Sequence, residues 1–318
     1  MPVPKKIYLH IGAHKTGTSS IQHFFADNRA ELARRGYLYP QSCNHLAGHH
    51  RLAFALRGLE HHPDLGKLDF AGEVRALKLE IAASECQTVI ISSEEFFGLE
   101  AAKIVILRNA LADYELRILA VLRRPDHLFE SLYNQRIKAL ANGFTRHYTE
   151  FLTEPLRLSL DLRFVRALNN WHGSFGKDAL ALLCYEHSLD AVNLLSSAIC
   201  LPIEGLKPDP ERRNESVSVR AAALIRQGKL LGLDEATLNR LKQIGRISFP
   251  KAAETGSLLS PDERMTLLMK TDAMTDKVFA RYYKSENEYH SRRFSKADFP
   301  EMAELTLADA IRIIAELL

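Results

Sequence analysis

Apolar positions along the first half of the chain alternate between two periods, and that alternation fixes the expected architecture. Lys6 to Ile11 reads as a short strand that stops at Gly12. From Thr18 to Arg35 the apolar residues Ile21, Phe24, Phe25 and Leu32 recur at helical spacing until Gly36 ends the run. An extended piece, Tyr37 to Pro40, leads into a histidine-rich stretch from Asn44 to His50 and a helix from Arg51 to Gly58. A further helix is predicted over Phe70 to Ser84. Thr88 to Ser92 is then apolar on both faces, as a buried parallel strand requires, and it ends in Ser93, Glu94 and Glu95.

The same unit repeats. A helix over Ala101 to Ala112 precedes a strand from Leu116 to Leu122 that runs into Arg123, Arg124 and Pro125. Helices over Asp126 to Ala141 and Leu162 to Trp171 precede a strand from Ala179 to Cys184, closed by Tyr185 and Glu186. Strands alternating with helices predict an α/β fold with a central parallel sheet of about four to five strands. After Leu201 the prolines 202, 208 and 210 break the chain, and only helical patterns follow: Ser216 to Lys229, Asp234 to Ile244, Pro261 to Tyr283 and Leu305 to Leu318. The expected organisation is a single domain over 1–318, with an α/β core over 1–200 and a mainly helical extension over 201–318.

Composition changes this picture little. The chain has 318 residues, 46% hydrophobic and 25% charged, with a formal charge of +3. That charge is too small to argue for bulk nucleic-acid or membrane binding, but it suits a local basic pocket for an anion. No run is long and apolar enough to span a bilayer, and no apolar signal core precedes the first strand. The 4 cysteines show no short paired spacing, which argues against a zinc site or a disulfide framework. A cytoplasmic, reducing compartment is the expectation.

The chemistry concentrates in Leu9-His10-Ile11-Gly12-Ala13-His14-Lys15-Thr16-Gly17-Thr18-Ser19-Ser20. A strand feeds a glycine-containing loop that opens a helix, so backbone N–H groups converge on an anion at the positive end of the helix dipole. Gly12 and Gly17 have the separation found in nucleotide triphosphatases, yet Thr18 follows the second glycine where those loops carry lysine. The loop's cation is Lys15.

This window resembles the 5′-phosphosulfate loop of sulfotransferases that use 3′-phosphoadenosine 5′-phosphosulfate (PAPS). The stretch from His10 to Pro40 is similar to bacterial members acting on carbohydrate or lipid acceptors. The resemblance implies a three-layer α/β/α fold like that of P-loop kinases. It places Lys15 at the bridging oxygen of the phosphosulfate and Thr16, Gly17, Thr18, Ser19 and Ser20 around the 5′-phosphate. His14 either shapes the loop or touches phosphate.

The family's second motif, an arginine at a strand end with proline two and serine eight residues on, matches Arg123, Pro125 and Ser131. The resemblance gives Arg123 and Ser131 the 3′-phosphate, and Tyr133 fits the same pattern. An arginine fork and a serine early in a helix suit a phosphate dianion whatever the name. Tyr185 and Glu186 resemble the family's Tyr-Glu pair at the same place, a structural or nucleotide-side element. A late loop brings Arg213, Asn214 and Ser216 as cofactor candidates, with Asn214 or Ser216 as a helix N-cap the alternative.

Sulfuryl transfer needs a base for the acceptor proton. Among His45, His49 and His50, we favour His50, because a neutral imidazole suits that task near pH 7. Glu94 is the rival, since ligands of open α/β folds bind at the carboxyl edge of the sheet. Transfer from PAPS needs no metal. Two other classes remain open: a magnesium-ATP kinase with Glu94 or Glu95 near the metal, and a non-catalytic nucleotide-binding protein. Trp171 and the Tyr282-Tyr283 pair read as core packing rather than acceptor contacts.

Overall fold

A computed structural model describes residues 4–159, 162–176, 178–185, 190–207, 217–283, 287–303, 305, 306, 309 and 313. In chain order the elements are β1 (Lys6–His10), α1 (Thr18–Asp27), α2 (Arg29–Arg34), β2 (Tyr37–Leu38), α3 (His50–Arg57), β3 (His61–His62), β4 (Gly66–Lys67), α4 (Phe70–Ala83), β5 (Thr88–Ser92), α5 (Ala101–Ala110) and β6 (Glu115–Arg123). They continue with α6 (Pro125–Lys138), α7 (Thr149–Leu152), α8 (Phe164–Phe175), β7 (Leu180–Tyr185), α9 (Ala191–Ala198), α10 (Val219–Leu230), α11 (Glu235–Ser248) and α12 (Pro261–Val278). These elements fall into two compact units: residues 1–124, 163–213 and 278–285 form the first, and 125–162, 214–277 and 286–318 the second.

The first unit holds a five-stranded sheet in the order β2-β5-β1-β6-β7. Every pairing in it is parallel. Parallel strands need crossovers that cover the sheet, so their residues should be buried on both faces, and through most of β5, β1 and β6 they are, while the edge strands β2 and β7 stay largely half-buried. Ile90, Leu119 and Val121 pack with Ile21, Phe24 and Phe25 of α1 and with Val192 and Leu195 of α9. The alternate positions Ile7, Leu9, Val89, Ile91, Ala120 and Leu122 are equally sealed. Trp171 on α8 is core, and its indole N–H donates to the Phe97 carbonyl at 3.3 Å.

Strand order also fixes where a ligand would sit. After β1 the chain crosses to β2 on one side, and after β5 it crosses to β6 on the other. The carboxyl ends of β1 and β5 therefore flank the point where the crossovers diverge, the usual ligand crevice of an open α/β sheet. A two-stranded antiparallel hairpin of β3 and β4, absent from the sequence reading, lies in the same unit.

The expected helix from Thr18 to Arg35 is broken at Asn28. Its side-chain amide donates to the Phe24 carbonyl at 2.8 Å, and its oxygen accepts the Lys207 N–H at 2.9 Å. A short polar side chain that bonds nearby backbone competes with the helix ladder, and here it ends α1.

The second unit is helical, as the pattern after residue 201 predicts. Its α10 starts at Val219 rather than Ser216, because the Ser218 hydroxyl caps it by accepting the Ala221 N–H at 3.2 Å. Within this unit α6 is fixed by a buried ionic cluster. Arg264 donates to Asp126 at 2.5 Å and to Glu130 at 2.7 Å, one helical turn apart, while Ser257 and the backbone N–H groups of Leu258 and Leu259 also reach Glu130. Among the described residues, no helix is long and apolar enough to cross a membrane.

Candidate functional site

The loop from Ile11 to Gly17 leaves β1 without leaving the sheet. The Ile11 N–H donates to the Leu119 carbonyl at 2.8 Å, and the Ala13 N–H to that of Val121 at 3.3 Å. This stitching to β6 fixes where the loop turns. Lys15 and Gly17 then both take left-handed backbone, with φ of 67° and 80°. Glycine adopts that region freely, while a lysine there carries strain of about 1–2 kcal/mol. Strained backbone of this kind tends to gather at functional sites.

Gly17 opens α1 without any side-chain cap. The first-turn N–H groups of a ten-residue helix are thus left to another acceptor. The Thr16 hydroxyl is buried and donates to the Ala13 carbonyl at 2.6 Å, so what Thr16 offers an anion is its backbone N–H. Thr18 is buried beside it at 3.4 Å between hydroxyl oxygens. Lys15, Ser19 and Ser20 are half-buried and keep a solvent-facing side.

Arg123, at the end of β6, is nearly buried. One of its guanidinium nitrogens donates to the Lys15 carbonyl at 3.0 Å, and the group lies 5.6 Å from the centre of the Tyr185 ring. Arg123 therefore braces the strained residue of the β1–α1 loop, a contact the sequence did not foretell. Ser131 and Tyr133 lie on α6 in the second unit. Ser131 is half-buried. Tyr133 is buried, its hydroxyl donates to the Arg146 carbonyl at 2.9 Å, and burial pushes its pKa up to about 12. Arg213, Asn214, Ser216 and Glu186 lie outside the described residues.

The carboxyl end of β5 supplies the other half of the site. His50 is the first residue of α3, and its Nδ1 shares a 2.8 Å hydrogen bond with the Ser93 hydroxyl. The Ser93 oxygen also accepts the Glu95 N–H at 3.2 Å, which caps the 3-10 turn over Glu94 to Phe96. Burial lowers the basicity of His50, against the opposing pull of Glu94 and Glu95, and keeps the ring neutral at pH 7.

Glu94 accepts a hydrogen bond from the Gln22 amide of α1 at 3.0 Å. Burial works to raise its pKa, but His50, its own backbone N–H, His14 and Gln22 outweigh burial and hold it below the usual carboxylate range. His14 stands 4.0 Å from Glu94 and 3.8 Å from Glu95, and Arg57 pairs with Glu95 at 2.8 Å. The two rival bases of the sequence reading, His50 and Glu94, are thus neighbours in one polar cluster. His14 joins the β1–α1 loop to that cluster.

The three histidines of the 45–50 stretch separate cleanly. His49 is fully buried: its Nδ1 accepts the Ser92 N–H at 3.1 Å and its Nε2–H donates to the Pro40 carbonyl at 3.1 Å. Burial lowers its pKa to about 3 and makes it a neutral core residue. His10 beneath the loop behaves likewise, bonded to the Ser92 hydroxyl at 2.8 Å and lowered by burial to about 4. Its Nε2 faces Gly12, where an added Cβ would stand 2.6 Å away, so this glycine is a requirement of close approach. His45 stays half-buried at the surface.

Neither a family model nor a curated protein matches this chain. Among solved structures, it is similar to "Crystal Structure of Sulfotransferase from Alicyclobacillus acidocaldarius", with 15% identity over 76% of this chain and 100% of that one, at a TM-score of 0.43. The likeness to that sulfotransferase is a distant structural one.

Proposed function

We propose that this chain is a PAPS-dependent sulfotransferase, moving a sulfuryl group to a hydroxyl of a carbohydrate, glycolipid or small-metabolite acceptor. The observation that carries the reading is one juxtaposition. At the divergence point of a parallel sheet, an uncapped helix N-terminus and Lys15 lie next to a polar cluster holding the neutral His50. The anion-facing half suits a leaving phosphate, and the imidazole suits a proton acceptor.

In this reading the acceptor oxygen attacks sulfur while the bond from sulfur to the bridging phosphate oxygen breaks. The electron pair leaves on 3′-phosphoadenosine 5′-phosphate (PAP), and the acceptor proton passes to His50 Nε2. For that, Nδ1–H must donate to Ser93 and leave Nε2 its lone pair. Lys15 and the loop amides stabilise the charge on the leaving phosphate without rearranging. Glu94 lies near the imidazolium that forms and favours it electrostatically. Arg123 and Ser131 are the sequence motif's pair for the 3′-phosphate, and Arg123 additionally braces Lys15.

Calorimetric titration with PAP in the absence of magnesium, beside ATP with magnesium, tests the reading. PAP should bind tightly, ATP weakly, and Arg123→Ala should abolish that preference. Binding of magnesium-ATP alone would overturn the proposal in favour of a kinase, and binding of neither would leave a non-catalytic role.

A further inference from the structure

Three aromatic rings that the chemistry above does not use close with His50 into a cluster of four. His50 and Phe54 lie one turn apart on α3, so their rings share a face; the centres are 6.1 Å apart and the planes 29° from parallel. Phe54 then stacks on His62 of the β3–β4 hairpin, at 5.1 Å and 16°. His62 meets His45 at 5.6 Å, and His45 returns edge-on to His50 at 6.3 Å. The hairpin and the turn between His45 and Gly48 bring two distant segments against one helix face.

Rings in a core are sealed, but His45, Phe54 and His62 all stay half-buried. Centre spacings of 5 to 6 Å between near-parallel planes mean offset stacking, and half-burial leaves each of the three residues partly exposed to solvent.

We infer that the solvent-exposed parts of His45, Phe54 and His62 form a binding subsite for the acceptor, and that the acceptor presents an uncharged pyranose ring there. The inference rests on the sulfuryl-transfer reading for its word acceptor and on the ring cluster for everything else. A pyranose has an apolar C–H face rimmed by hydroxyls, and the cluster offers the matching pair of features. Phe54 supplies apolar area, while the imidazoles supply polar edges around it. The His62 Nδ1 accepts the Asp64 N–H at 3.2 Å, so in the neutral ring Nε2–H is a donor. Glu94 and Glu95, near the His50 end, disfavour an anionic ring and favour hydroxyl donors. His50 belongs to both the ring cluster and the proposed proton transfer, so a sugar stacked on its neighbours would hold a hydroxyl near the base.

Saturation-transfer NMR on the full chain, saturated with PAP, tests this with the methyl glycosides of glucose, galactose, mannose and N-acetylglucosamine as probes, beside phenol and hexanol. Ring C–H signals of at least one pyranoside should receive saturation. Phe54→Leu keeps apolar volume without a ring and should weaken that binding about three- to tenfold, with His62→Gln acting in the same direction. PAP affinity, measured on the same samples, should stay within about twofold of the parent, as both residues lie outside the phosphate loop. Absence of pyranoside contact, equal contact in both variants, or contact with phenol or hexanol alone overturns the inference. Pyranoside binding in a chain that binds no PAP overturns the sulfuryl-transfer reading instead and keeps the sugar subsite.

Discussion

Lys15 couples backbone strain to the charge of the β1–α1 loop, and two substitutions there, compared with each other, separate the two. Its φ of 67° puts a side-chain-bearing residue in the left-handed region. Lys15→Ala removes the ammonium and keeps the Cβ, so the backbone strain persists. Lys15→Gly removes both. Elsewhere glycine is the less stable choice by roughly 0.5–1 kcal/mol, because it loses more backbone entropy on folding. Here relief of about 1–2 kcal/mol of left-handed strain exceeds that handicap. The glycine variant should therefore be more stable than the alanine variant by about 0.5–1 kcal/mol, a rise of about 1–3 °C in Tm by scanning calorimetry. Binding should not follow stability. If the ammonium bonds the leaving phosphate, both variants lose a charged hydrogen bond worth about 1.5–3 kcal/mol, a 10- to 100-fold weaker Kd for PAP. An alanine variant as stable as the glycine one would refute the strain argument. Parent-like PAP affinity in either would refute the phosphate role of Lys15.

Other expectations test the remaining parts. Gly17→Ala combines a φ of 80° with a Cβ only 2.4 Å from that of Ala191, so chemical denaturation should show a loss of about 2–5 kcal/mol together with failure to bind PAP. His10 and His49 have folded pKa values below the ordinary 6.5, near 4 and 3. Their stabilising contribution is full above 6.5 and falls as the pH drops toward the folded values. Urea titrations at pH 7 and pH 5 should then differ by about 2 kcal/mol for each histidine, and His10→Gln should remove one share. Arg264→Leu removes the buried guanidinium that pairs with Asp126 and Glu130 and should cost about 3–5 kcal/mol. With any acceptor that supports release of PAP from PAPS, His50→Gln should slow turnover by about 10²–10⁴ at unchanged PAP affinity. If Glu94→Gln has the larger effect, the base is the carboxylate.

The sequence by itself determined the local units. The glycines at 12 and 17, between an apolar run and a helical pattern, announce a tight turn from strand to helix, because the backbone there has few conformations and glycine suits them. Apolar runs such as Val89 to Ile91 announce strands buried on both faces, and the proline-interrupted, helix-patterned C-terminal part announces helices. These signals are carried by neighbours along the chain, within reach of a single turn or pleat.

What tertiary structure alone decided is every relation across a long separation. Pairing of β1 with β5 brings His10 beside Ser92, and docking of α3 brings His50 to Ser93, 43 residues away. Nothing local distinguishes His49, sealed against Pro40 and Ser92, from His50, aimed at the cluster, since adjacent helix-start residues point in different directions. The placing of His14 against Glu94 and Glu95, and of Arg123 under the Lys15 carbonyl, depends on the order of strands in the sheet. That order is chosen by burying both faces of β1, β5 and β6 at once, a sum over the whole first unit that no short window of sequence contains.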